Sequence, residues 1–281
     1  MNPTALRDLL ITWADLNSGS DHLAGLERMR GKLRDEFASL PGALVSDVML
    51  DGTTAKILRI IVRPAAPQRI LLSGHYDTVY GAAHPFQRCT LLDSNTLRGP
   101  GVADMKGGLV VMLAALREFE RSPPAAQLGY DILLTPDEET GSGASRPVLE
   151  AAARSKQHAF ALVFEPARSN GNLVKSRKGT GVFTLTCHGR AAHAGRDPES
   201  GRNAILALAE LLPHVHALNR DLPGIMLNIG NIRGGGAVNI VPDFAAAELN
   251  VRITHSADEA RVLGRLNEII APTNSREGFR V

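Results

Sequence analysis

The sequence predicts an α/β protein: a mostly parallel, doubly wound sheet joined to a smaller ferredoxin-like α+β unit. Three observations carry this. Short, near-continuous apolar runs alternate with helical patterns through about residue 165, as in a parallel sheet covered on both faces. Acids and one histidine stand just after several of those runs, beyond the carboxyl ends of the predicted strands, where such sheets place ligands. From about Gly179 the order becomes β-α-β-β-α-β, the ferredoxin-like pattern.

The chain opens with apolar residues at helical spacing: Leu6, Leu9, Leu10 and Trp13 over residues 4–16, then Leu23, Leu26, Met29, Leu33 and Phe37 over 21–39. Arg7, Asp8 and Asp15 among them mark an amphipathic helix rather than a signal peptide. Pro41-Gly42 ends the second helix. Extended runs follow at 43–50, 55–62 and 69–73, the last leading into His75-Tyr76-Asp77. A Gly-Pro-Gly turn at Gly99–Gly101 presents Asp104, and an apolar helix then runs to about Phe119. Residues 130–134 form a buried strand before Asp137-Glu138-Glu139, and residues 142–153 a helix. Residues 160–164 read as another buried strand ending at Glu165-Pro166. The second half gives strands at 182–188, 225–233, 244–254 and 278–281, with helices at 201–218 and 257–270. Pro213 should kink or end the first of these helices. The division falls near Arg177, giving a catalytic part at 1–178 and a lid part at 179–281.

Composition excludes several classes of function. The 281 residues are 44% hydrophobic and carry a net charge of +2 with 4% aromatics, which argues against a nucleic-acid surface. Two cysteines, Cys89 and Cys187, supply no disulfide framework, so a reducing cytoplasm is the default location. No stretch approaches the ~20 apolar residues of a membrane span. The triple glycine at Gly234–Gly236 is not followed by a Lys-Ser/Thr pair, so a phosphate-binding loop is rejected. Lys106 reads as facing either solvent or the helix start.

The histidine and the acids suit a metal. Zinc takes imidazole nitrogen and carboxylate oxygen, and a catalytic site leaves one position open. Asp77, two positions from His75 in an extended segment, shares its face and suits a carboxylate that fixes the imidazole tautomer. Adjacent Glu138 and Glu139 point in different directions, so one can ligate while the other remains free as a base. Two zinc ions bring four positive charges; Asp104, Glu139 and Glu165 supply three negative ones and a bridging hydroxide the fourth.

Six motifs in order (GHYDTV, GPGVADMKGG, DEETGS, FEP, GRAAHAG and NIVPDFAAAELNVR) give the chain a specific likeness. It resembles the zinc aminoacylase and carboxypeptidase metallopeptidase family, which includes glutamate carboxypeptidase, acetylornithine deacetylase and succinyl-diaminopimelate desuccinylase. The resemblance implies that His75 and Glu165 hold one zinc, Glu139 the other, and Asp104 bridges them. It implies Asp77 as the residue orienting His75, Glu138 as general base, and a cis peptide at Asp104-Met105. His193 would reach a partner subunit's site and stabilise the oxyanion, while Asn239 and Arg252 would contact substrate. Arg252 is the better candidate for a carboxylate. The implied reaction is hydrolysis of the amide bond of an N-acyl amino acid or small peptide with a free carboxylate, by zinc-hydroxide attack, in a homodimer formed through the lid. Cobalt or manganese would serve at such a site. The resemblance further implies a returning segment with a last histidine on the second zinc. The sequence stops at Val281, so the alternative expectation is a truncated, catalytically inactive relative that dimerises or binds ligand, with an exposed sheet edge.

Overall fold

The computed structural model describes residues 2–281, and these divide into two compact units that meet in sequence at Asn172 and Leu173. In the first, α1 (Pro3–Ala14) starts on Asn2, whose side chain accepts from the Thr4 amide, and α2 (Leu23–Phe37) follows. Strands β1 (Leu44–Met49), β2 (Lys56–Val62) and β3 (Gln68–His75) come next, then a hairpin of β4 (Thr90–Asp93) and β5 (Thr96–Arg98). Helix α3 (Lys106–Phe119), β6 (Leu128–Thr135), α4 (Arg146–Arg154) and β7 (Ala161–Val163) complete the unit.

The main sheet has the order β1-β2-β6-β3-β7. Strand β3 pairs in parallel with both β6 and β7, whereas β1–β2 and β2–β6 are antiparallel. The sheet is therefore mixed, with its parallel part around β3. One face buries Leu58, Ile60, Leu72, Ile132 and Leu134 against Trp13, Met29 and Phe37 of α1 and α2 and Leu109 and Leu113 of α3. The other buries Ile57, Leu71 and Leu133 under Val148, Leu149 and Ala152 of α4. Both faces carry helices, so β3 and β6 lack polar alternation.

Three local expectations are corrected. The apolar run at 160–164 is not buried: β7 is the sheet's edge, and Leu162 and Val163 are 42% and 60% exposed. An apolar run alone cannot separate a central strand from an edge. Helix α4 starts at Arg146 rather than 142, because the Asp137 carboxylate takes the Ala144 and Ser145 amides and holds the preceding residues in a loop. Lys106 does not face solvent; its side chain is buried, and its Nζ donates to the Trp13 and Leu16 carbonyls at 3.0 and 2.9 Å. Burial pulls the Lys106 ammonium down to about 8.

The second unit holds β8 (Gly179–His188), α5 (Ala204–Asp221), β9 (Met226–Gly234), β10 (Phe244–Ile253) and α6 (Ala257–Asn274). Its sheet is antiparallel in the order β8-β10-β9. The expected last strand reduces to one bridge, Arg280 to His188, on the outer side of β8. That placement completes the ferredoxin-like strand order. Pro213 does not end α5, which continues to Asp221 with Leu211, Val215 and Leu218 buried against the sheet. That burial outweighs the lost backbone bond. No helix among the described residues is long and apolar enough to cross a membrane.

Candidate metal centre

The carboxyl ends of β3, β6 and β7 converge in the first unit. His75 is the last residue of β3, and its register partner on β6 is Thr135. The loop after β6 brings Glu138 and Glu139 on a short 3-10 turn at Glu138–Thr140. The loop after β7 brings Glu165, and Asp104 arrives just before α3 through a cis peptide to Met105. The second glycine of the pair after Lys106 permits this approach. A Cβ built on Gly108 would lie 1.9 Å from the Phe164 carbonyl oxygen, so only glycine lets α3 rest against the end of β7.

His75 and Asp77 are both buried, 1% and 0% exposed at their side chains. His75 Nδ1 lies 3.2 Å from Asp77 Oδ1 and also 3.2 Å from the Asp77 carbonyl oxygen. Both are acceptors, so Nδ1 carries the hydrogen and donates to the Asp77 side of the ring. Nε2 then faces the opposite way, 3.0 Å from Asp104 Oδ1, 3.6 Å from Glu165 Oε1 and 3.8 Å from Glu138 Oε2. Asp77 also accepts the Glu138 amide on Oδ1 and the Glu139 amide on Oδ2. One buried carboxylate thus fixes both the histidine and the adjacent acidic turn.

Among the described residues, His75, Asp104 and Glu165 each offer a ligand atom within 4.8 Å of the others. Glu138 sits at the rim, half exposed. Glu139 stays outside this compact triad, although its carboxyl senses Asp104. Burial pushes the Glu139 carboxyl up, and the Asp104 charge pushes it further. Burial likewise raises Glu165; the charges of Asp104 and Glu138 add to this and His75 opposes it. For His75, burial works to lower the imidazole, but the hydrogen bond and charge of Asp77, with Glu165 and Glu138, outweigh it and push it up to about 9. Mutually repelling acids around one imidazole nitrogen are a donor set that a divalent cation would relieve. Carboxylate oxygen and imidazole nitrogen fit zinc, and also manganese or cobalt.

The second unit carries the other expected residues, all exposed. His193 forms an isolated bridge with Ile240, and the Ala194 amide donates to the Asn239 carbonyl at 2.9 Å. His193 and Asn239 therefore belong to adjoining loops. Arg252 lies near the far end of β10, paired in register with Thr180 and Met226, and is not gathered with them inside this unit. Reading the sequence alone passed over Ser20, whose hydroxyl donates to Asp77 Oδ2 at 2.8 Å. The only signal was a small-residue loop, Ser18-Gly19-Ser20, between two helices.

Comparison with known proteins places the chain among peptidases. Residues 57–195 match peptidase family M28, and residues 175–277 match the peptidase dimerisation domain of family M20. Carboxypeptidase G2 of a Pseudomonas species is 28% identical over 72% of this chain and 48% of its own length. Succinyl-diaminopimelate desuccinylase of Pseudoalteromonas translucida is 32% identical over 66% of this chain and 52% of its own. The chain thus spans about half the length of these curated relatives. A metallo-carboxypeptidase of family M20 from Sulfolobus solfataricus shares the fold over 100% of this chain and 78% of its own, with a TM-score of 0.76 at 16% identity. The aminopeptidase PepT of Bacillus cereus also scores 0.76, over 100% of this chain and 76% of its own, at 20% identity. The ordered motifs, the two matched peptidase domains and these relatives identify the chain as a relative of the M20 metallopeptidases, with an M20 dimerisation domain over residues 175–277.

Proposed function

We propose that the protein is a metal-dependent hydrolase that cleaves the amide bond of N-acyl amino acids or small peptides bearing a free carboxylate, working as a homodimer through its second unit. The observation that carries this reading is the meeting of His75 Nε2 with Asp104, Glu165 and Glu138 at three loop ends of one sheet. The names of its relatives, a carboxypeptidase and a desuccinylase, both denote removal of a group held by an amide.

In this reading His75, Asp104 and Glu165 would hold one divalent ion, and Glu139, together with Asp104, would hold a second. The Asp104 charge bears on both the Glu139 and the Glu165 carboxyl, which supports that arrangement. Zinc is the favoured metal. When bound, it supplies Lewis acidity toward a carbonyl oxygen and a water. The chain's own residues do the rest. Asp77 keeps the His75 hydrogen on Nδ1, so that Nε2 presents a lone pair. Glu138 has a free carboxylate beside the cluster and a backbone held by Asp77. It takes the proton of the attacking water and delivers it to the leaving nitrogen. The partner subunit's His193 would donate to the oxyanion. Arg252 and Asn239 would bind the substrate's carboxylate and polar groups, Arg252 through paired N–H groups.

The test is turnover of a panel of N-acyl amino acids and dipeptides by zinc-loaded protein, compared with Glu138→Ala. Loss of a general base should lower kcat by about 10²–10⁴-fold. Full turnover by Glu138→Ala, or no zinc bound by the purified chain, would overturn the proposal.

A further inference from the structure

The strap that precedes α2, residues 17–20, is held against the metal-site strand in a way that the proposed roles leave unexplained. The Ser20 amide donates to the Thr78 carbonyl at 3.1 Å, and the Thr78 amide donates back to Ser18 at 2.9 Å. Gly19 makes a parallel bridge with Thr78. A Cβ on Gly19 would fall 2.5 Å from the Tyr80 carbonyl oxygen and 2.8 Å from Gly81 Cα, both backbone atoms that cannot swing aside. Asn17 fastens the start of the strap: its Nδ2 donates to the Tyr80 carbonyl at 3.0 Å and to Gln87 Oε1 at 2.8 Å, while its Oδ1 accepts the Gly19 amide at 3.1 Å. All of this delivers one hydroxyl. Ser20 Oγ donates to Asp77 Oδ2 at 2.8 Å, a shorter contact than either amide makes with that carboxylate.

Asp77 has two oxygens and four donors around them. Oδ1 takes the Glu138 amide and faces His75 Nδ1; Oδ2 takes the Glu139 amide and the Ser20 hydroxyl. A fully buried carboxylate must have its lone pairs satisfied to stay charged and in place. Without the hydroxyl, Oδ2 keeps only the Glu139 amide at 3.1 Å. The carboxylate then gains freedom to rotate away from His75. We propose that Ser20 is a positioning residue of the metal centre, acting through Asp77 to hold the His75 ring and the Glu138-Glu139 turn in the geometry that binds metal.

This rests on the metal reading given above, and the experiment separates the two. Zinc affinity is measured by competition with a chromophoric chelator, at one pH, for the unaltered chain, His75→Ala, Ser20→Ala and Ser20→Thr. Thermal unfolding of each metal-free protein runs alongside. Zinc bound by the unaltered chain and weakened in His75→Ala upholds the metal reading. Within that, Ser20→Ala should weaken zinc binding roughly tenfold, the lower end for outer-sphere partners of a ligand. Ser20→Thr keeps the hydroxyl and should recover most of that loss. A purely structural serine would lower the unfolding temperature and leave zinc affinity of the folded protein unchanged; that result overturns the proposal. So does a Ser20→Thr variant as weak as Ser20→Ala while as stable as the unaltered chain. Failure of the unaltered chain to bind zinc removes the metal reading and this proposal together.

Discussion

Replacing Gly108 by alanine sets two effects of opposite sign against each other. Gly108 lies inside α3, and alanine in a helix interior is favoured over glycine by about 1 kcal/mol. The new methyl, however, would sit 1.9 Å from the Phe164 carbonyl oxygen, 3.0 Å from its carbonyl carbon and 3.3 Å from its Cβ. Ordinary contact begins near 3.4 Å, so helix and strand end must part by about 1.5 Å. The obstacle is backbone, tied to β3 by the Phe164 amide donating to Ser73 at 3.1 Å, and cannot rotate away. Overpacking of this kind costs about 1–3 kcal/mol, so the net effect is a loss of up to about 2 kcal/mol, against a gain at an unobstructed helical glycine. The next residue is Glu165, whose carboxylate stands 3.6 Å from His75 Nε2. A shift of this size disperses the triad, and zinc affinity should fall about tenfold or more. Gly31→Ala and Gly264→Ala are the controls. Both positions are helical, a methyl there meets nothing within 4 Å, and both changes should stabilise by about 0.5–1 kcal/mol. Thermal unfolding and zinc competition read all three. A Gly108→Ala protein as stable as Gly31→Ala, with unaltered zinc affinity, would refute the close-packing argument.

Asp77→Asn leaves one acceptor oxygen where four donors converge, so whichever way the amide turns, two donors face its NH2 group. Two lost hydrogen bonds to a charged acceptor amount to about 3–6 kcal/mol; urea unfolding of the metal-free protein should show it, and a loss under about 1 kcal/mol would contradict the network. His75, raised from 6.5 to about 9, stabilises the metal-free fold fully below its unfolded value, a contribution lost as pH rises through about 9. Metal must displace that proton, so apparent zinc affinity should rise about tenfold per pH unit across that window. An affinity flat between pH 6.5 and 8.5 would show that metal displaces no proton from His75 in that range.

Periodicity alone located α1, α2 and α3 and the central strands, because their apolar faces are long and regular. The β-α-β-β-α order of the second unit was equally legible. His75, Asp104 and Glu165 could be singled out because chemistry-bearing side chains after apolar runs are unusual, and the structure brings those three together. Residue order could not show burial that depends on distant neighbours. The run at 160–164 has the composition of an inner strand, but β7 has a neighbour on one side only, and that follows from sheet order. Lys106 could be read as solvent-facing because its acceptors, the carbonyls of Trp13 and Leu16, lie more than 80 residues away. Ser20 had no signal of its own, since a serine hydroxyl gains a role only from the buried acceptor it meets. Residue types and their spacing were enough to name the groups able to bind a metal and the elements that carry them. The tertiary structure decided how those residues are held: a carboxylate at Asp77 is merely one acid in a motif until burial strips away water and leaves Ser20, His75 and two amides as its partners.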